Sequence, residues 1–149
     1  MIRVALYIRV STDEQALHGL SLESQKEALT EYANKHNMQI VDIYADEGIT
    51  ARKALNKRLQ FQRLIADVQT GKIDLILVTK LDRWFRNIKD YHNTQEILEK
   101  HNCNWRTIYE NYDTSTASGW QSLKQVNTYF YSRYILYPLK WLISRLHFC

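Results

Sequence analysis

Four apolar residues in unbroken succession, Leu75-Ile76-Leu77-Val78, constrain this chain more than any other stretch. A strand with one wet face alternates apolar and polar side chains. A short run without alternation therefore suits a strand covered on both faces, as in a parallel sheet. The rest of the chain supplies strands and helices in turn. Val4 to Ile8 reads as a strand, broken by Ser11-Thr12-Asp13-Glu14. Ser21 is a good helix N-cap, and Leu22, Leu29, Tyr32, Ala33 and His36 follow at roughly helical spacing. Ile40 to Tyr44 is a second strand, and Asp46-Glu47-Gly48 turns the chain. After a basic loop, Phe61, Leu64, Ile65 and Val68 mark one face of a helix that ends at Gly71. Tyr91 to His101 reads as a third helix and Trp105 to Tyr109 as a fourth strand. The order βαβαβαβ predicts an α/β fold, a mainly parallel sheet with flanking helices and right-handed crossovers.

At 149 residues, 45% apolar and 24% charged, with four Gly and one Pro, the chain is expected to form one globular core. Cys103 and Cys149 are far apart in sequence, with no CxxC, and the five histidines (His18, His36, His92, His101, His147) show no ligand spacing. No disulfide framework, metal or other cofactor is expected. Met1 to Arg9 has too few apolar residues for a secretory leader, so a reducing cytoplasm is the expected compartment. The net charge of +4 is unevenly placed. All sixteen acidic residues precede Thr114, whereas Lys124, Arg133, Lys140 and Arg145 follow it. Residues 1–113 are thus neutral overall, and the global balance says little about the body of the domain.

Loops after the C-terminal ends of parallel strands share one edge, where ligands bind. The first strand leads into Arg9-Val10-Ser11, and period-two alternation puts Arg9 and Ser11 on one side of the chain. The third leads into Lys80-Leu81-Asp82-Arg83-Trp84-Phe85-Arg86-Asn87, where Arg83 and Arg86 share a face of any helical turn. The two loops are expected to converge. A serine among three arginines is a coherent kit for phosphoryl transfer, because guanidinium forks match non-bridging phosphate oxygens and stay charged without a metal ion. The group that activates the serine is unassigned. Taken singly, each residue also has a plainer use: Ser11 as a turn or cap, Asp82 as an N-cap, Arg83 and Arg86 as a solvated basic face.

Four blocks go further. Tyr7-Ile8-Arg9-Val10-Ser11-Thr12-Asp13-Glu14-Gln15, Gly19-Leu20-Ser21-Leu22-Glu23-Ser24-Gln25, Asp46-Glu47-Gly48-Ile49-Thr50 and Val78-Thr79-Lys80-Leu81-Asp82-Arg83-Trp84-Phe85-Arg86-Asn87 resemble the catalytic domain of the serine recombinases, the resolvase/invertase family. The likeness is greatest to the large, phage-integrase-like branch. It covers residues 1 to about 119, in family order. The resemblance implies a three-layer resolvase-like domain and a serine that attacks a DNA phosphodiester, forming a 5′-phosphoserine link and freeing a 3′-hydroxyl. Four subunits then cut two duplexes, exchange strands and reseal without metal or nucleotide. Carried over by motif, Ser11 is the nucleophile, Arg9, Arg83 and Arg86 surround the phosphate, Asp82 orients the arginines and Gln25 lines the pocket. The family's further arginine matches Arg58, although Leu59 stands where a proline is usual.

After Thr116-Ala117-Ser118-Gly119 comes Trp120, where the family has a long helix leading to DNA-binding domains. The segment Tyr129 to Phe148 is instead aromatic and free of acids, interrupted by Arg133, Pro138, Lys140 and Arg145. Such a tail suggests a frame change or a remnant gene, and charges and proline argue against a membrane span. The domain division expected is 1–119 and 120–149. Without a DNA-reading module, only weak, salt-sensitive DNA binding is expected of this chain alone, with a remnant or non-catalytic partner of a full-length recombinase as the alternative. Since sheet and helices are complete by Tyr109, the core is expected not to depend on the tail.

Overall fold

A computed structural model of the chain describes residues 1–10, 21–47, 58–85, 87–116, 126 and 128. Within them lie four strands, β1 (Arg3–Val10), β2 (Gln39–Glu47), β3 (Leu75–Val78) and β4 (Asn104–Thr107). The helices are α1 (Leu22–Lys35), α2 (Leu59–Gln69), the single turn α3 (Leu81–Trp84) and α4 (Ile88–Lys100). All four strands run parallel, in the order β2-β1-β3-β4. The α/β class, the parallel sheet and the flanking helices are those the sequence predicts.

Alternation along the strands divides the core in two. Val4, Leu6, Ile8, Leu75 and Leu77 pack with Leu29, Ala33 and Met38. Ala5, Tyr7, Tyr44, Ile76, Val78 and Trp105 point the other way, onto Phe61, Leu64, Val68, Tyr91 and Leu98. Helix α1 thus covers one face, and α2 and α4 cover the other. This double cover is why β3 is apolar throughout. At the opposite edge of the sheet from α3, Asp74 receives the backbone N–H of Arg3 at 2.9 Å and its guanidinium at 2.9 and 3.1 Å. Those bonds from Arg3 hold the Asp74 carboxyl below its usual range.

The helix ends explain two boundaries. Asn37, Gly71 and Asn102 have φ of 54, 75 and 52°, the left-handed region that glycine and asparagine tolerate best. After each, the chain closes with the same bond from the next residue, Met38, Lys72 or Cys103, back to the carbonyl of Ala33, Asp67 or Leu98. Helix α4 begins at Ile88 rather than Tyr91 because Asn87 accepts the Asp90 N–H at 2.8 Å and caps it. Strand β4 stops at Thr107 rather than Tyr109. There the chain turns, Thr107 Oγ1 donating to the Glu110 carbonyl at 2.8 Å, and residues 112–114 return antiparallel along β4. That return covers one sheet edge, while a register shift between Val4 and Ala5 makes a bulge on the open edge strand β2.

Burial pushes the Cys103 thiol up to about 12, so it packs as a small apolar group. Among the described residues no helix is long and apolar enough to cross a membrane. One described residue beyond Gly119 departs from expectation: Val126 is fully buried and joins the cluster of Phe61, Tyr91 and Trp105. The core therefore does use the tail at this position. Val126→Ala removes two buried methyl groups' worth of apolar contact and is expected to lower stability by about 2 kcal/mol in urea unfolding. An unchanged midpoint would show that the core is closed without it.

Candidate active site

The side chains of β1 change character as the strand reaches the C-terminal edge of the sheet. Ala5 and Tyr7 lie in the core beneath α2 and α4, and the same alternation brings Arg9, 5% exposed, to the rim above them. Arg9 Nη2 donates to the Asp82 carbonyl at 2.5 Å, joining the end of β1 to α3. The two loops therefore meet, as expected. Ser11 and Arg86 lie outside the described residues.

Helix α3 is held by its surroundings. The Leu81 N–H donates to Glu110 Oε1 at 2.6 Å, and Lys80 makes no side-chain cap. Asp82 is thus not the N-cap its type suggests. It sits in the first turn, with Oδ1 3.8 Å from Arg83 Nε. Arg83 is 7% exposed, which excludes the solvated basic face. Gln25, on the first turn of α1, is 2% exposed and donates Nε2 to the Arg9 carbonyl at 3.3 Å. Among the described residues, two buried acceptors, Gln25 Oε1 and Asp82 Oδ1, have no hydrogen-bond donor. A polar group buried without a partner costs about 1–3 kcal/mol.

Beneath this rim lies a network that sequence reasoning missed. Asp46, 3% exposed at the end of β2, accepts the Tyr7 hydroxyl at 2.8 Å and the N–H groups of Gln60 and Phe61 at 2.9 and 3.0 Å. It caps α2 from across the chain, while Arg58, the residue at the cap position, makes no side-chain cap. Arg58 Nε donates to the Tyr7 hydroxyl at 2.9 Å, and its Nη2 also donates to that oxygen. Nη1 and Nη2 reach the Trp84 carbonyl at 3.5 and 3.4 Å. The guanidinium carbon lies 4.6 Å from the Phe61 ring centroid. Burial keeps the Tyr7 hydroxyl protonated far above the ordinary tyrosine range, against the opposing pull of Arg58. The signal that could have found Tyr7 is its place two residues before Arg9 on one face of β1. Asp46 stood in a family block, but its local pattern read only as a turn and gave no sign of its partners.

The structure therefore brings Arg9, Gln25, Asp82 and Arg83 together at the rim and sets Arg58 behind them. A doubly covered parallel sheet with arginines converging at its C-terminal edge defines an α/β domain with a buried basic cluster where such sheets bind ligands. Comparison with known proteins fixes the family. The resolvase N-terminal domain model matches residues 4–131, which extends past Gly119, and the chain belongs to that family. The chain is 34% identical over 113 residues to the transposon Tn917 resolvase of Enterococcus faecalis, matching 76% of this chain and 53% of that one. A putative DNA recombinase of Bacillus subtilis strain 168 is 35% identical over 99 residues, 66% of this chain and 19% of its own. The chain thus spans about half or less of these relatives. Among solved structures, the N-terminal catalytic domain of TP901-1 integrase superposes with a TM-score of 0.73 at 34% identity, covering 85% of this chain and 92% of that one. A resolvase family site-specific recombinase from Streptococcus pneumoniae gives 0.70 at 30% identity, with 99% of each chain covered.

Tyr7→Phe removes the hydroxyl that Asp46 and Arg58 share, leaving a buried acceptor and donor short of a partner. The expected loss is about 1–3 kcal/mol in chemical unfolding. A loss near zero would mean that the network contributes nothing to the fold.

Proposed function

We propose that this chain is the catalytic domain of a site-specific DNA recombinase in which Ser11 cuts and rejoins the backbone. The observation that carries the reading is the bond from Arg9 to the Asp82 carbonyl, which brings Arg83 to the strand end leading into Ser11. In the proposed reaction Ser11 Oγ attacks the phosphorus, forming a 5′-phosphoserine ester as the bond to the 3′-oxygen breaks. The departing oxygen leaves as a 3′-hydroxyl, taking up a proton, and Oγ gives one up. One phosphate ester replaces another, so the same site can run the step backwards to reseal.

Negative charge spreads over the non-bridging oxygens in the transition state. Arg9, Arg83 and Arg86 are proposed to meet it with guanidinium donors fixed in advance, as electrostatic stabilisation requires. Asp82 would orient Arg83, and Gln25 would line the pocket beside Arg9. Arg58 supports the cluster from the side of Tyr7. Family membership supports DNA as the substrate and a dimeric or tetrameric assembly as the working form. The domain proposed is residues 1–119, followed by a tail, 120–149, that lends Val126 to the core.

A chimera tests this. Residues 1–131, the extent of the family match, are joined to the remaining parts of a related recombinase with a known site, and covalent protein–DNA adduct is measured on a nicked substrate. Ser11→Ala is expected to abolish the adduct, and an adduct that persists would end the assignment. Arg83→Lys keeps the charge but loses the fork, and should slow adduct formation by about 100- to 1000-fold. A rate equal to the unsubstituted chimera would contradict that role.

A further inference from the structure

The family resemblance matches Arg58 to a further arginine of the catalytic set, but its surroundings point away from the phosphate. A guanidinium has five N–H donors. Nε and Nη2 point at the Tyr7 hydroxyl, and Nη1 and Nη2 at the Trp84 carbonyl, so four of the five are directed at the protein itself. The side chain is 5% exposed and lies over Phe61, with Tyr7 on another side. A phosphate oxygen arriving at the rim would find at most one N–H of this residue.

What Arg58 does hold is α3. The last carbonyls of any helix lack intrahelical partners, and basic side chains satisfy them well. In this four-residue turn, two carbonyls are taken by arginines from other elements: Asp82 O by Arg9 and Trp84 O by Arg58. Arg83 lies between those two carbonyls in sequence. Arg58 is in turn fixed by Tyr7, whose hydroxyl donates to Asp46, and Asp46 also caps the helix that begins one residue after Arg58.

We propose that Arg58 is a positioning residue, not a phosphate ligand: it holds α3 by the Trp84 carbonyl and thereby sets where Arg83 and Arg9 stand. The inference rests on the reading of the rim as a phosphate site, and its test separates the two. Arginine Nε–H signals of the full chain are recorded by NMR before and during titration with a short DNA duplex. The Arg58 Nε–H is expected to exchange with water roughly tenfold or more slowly than in free arginine. DNA should shift Arg9 or Arg83 and leave Arg58 in place. Fast exchange at Arg58, or a DNA-induced shift as large as that of Arg83, would overturn the proposal. If DNA moves no arginine signal, the phosphate-site reading fails, while the exchange rate still decides the role of Arg58. In a second arm, Arg58→Lys is expected to shift the Arg9 and Arg83 signals before any DNA is added. If the melting temperature falls while those signals stay, Arg58 only stabilises the fold and the proposal is wrong. Should the variant not fold, the titration of the unsubstituted chain decides alone.

Discussion

One buried carboxylate organises the region on which the site stands. Asp46 is almost fully enclosed, and a polar group buried there is tolerable only if donors surround it. Three do: the Tyr7 hydroxyl and the N–H groups of Gln60 and Phe61. Those contacts tie the end of β2 to the middle of β1 and to the start of α2, three elements distant in sequence. Through Tyr7 the tie extends to Arg58, and through Arg58 to the Trp84 carbonyl. The aromatic rings of Tyr7, Phe61 and Trp84 meet at centroid separations of 5.4 to 5.9 Å around this path. Polar and apolar contacts therefore fix the same geometry.

Helix α3 shows why such support is needed. A single turn has almost no intrinsic stability, since nucleation is unfavourable and few bonds close within it. Its ends are instead satisfied by other parts of the chain: Glu110 at the first N–H, Arg9 and Arg58 at the carbonyls of Asp82 and Trp84. A short, externally clamped turn places Asp82 and Arg83 where a longer helix would have run past the rim. Two of those clamps, Glu110 and Arg58, lie outside the set of arginines proposed to meet the phosphate.

Much of this was legible in the sequence because apolar periodicity reports burial directly. The unalternated run of β3, the Ser21 cap and the left-handed ending at Gly71 each have a local cause, and each was found where it was expected. The arginines of the rim were legible from strand-end position, and Gln25, Asp82 and Arg58 from family motif. What could not be read were partners distant in sequence. Asp46 capping α2 from fourteen and fifteen residues away, Glu110 capping α3, and the burial of Arg83 all depend on tertiary contacts that no local pattern encodes. Val126 belongs to the same class. Its segment looked separable by composition, but one side chain reaches the core.

If Arg9 and Arg83 work as one unit joined through α3, their contributions to adduct formation cannot be independent. The direct measurement is a double-mutant cycle on the rate of Ser11 adduct formation, with Arg9→Lys and Arg83→Lys singly and together in the chimera described above. The account predicts strong non-additivity, the double variant being little slower than the slower single one. Rate losses that simply multiply would show two arginines acting separately, and would contradict the clamped-turn account of the site.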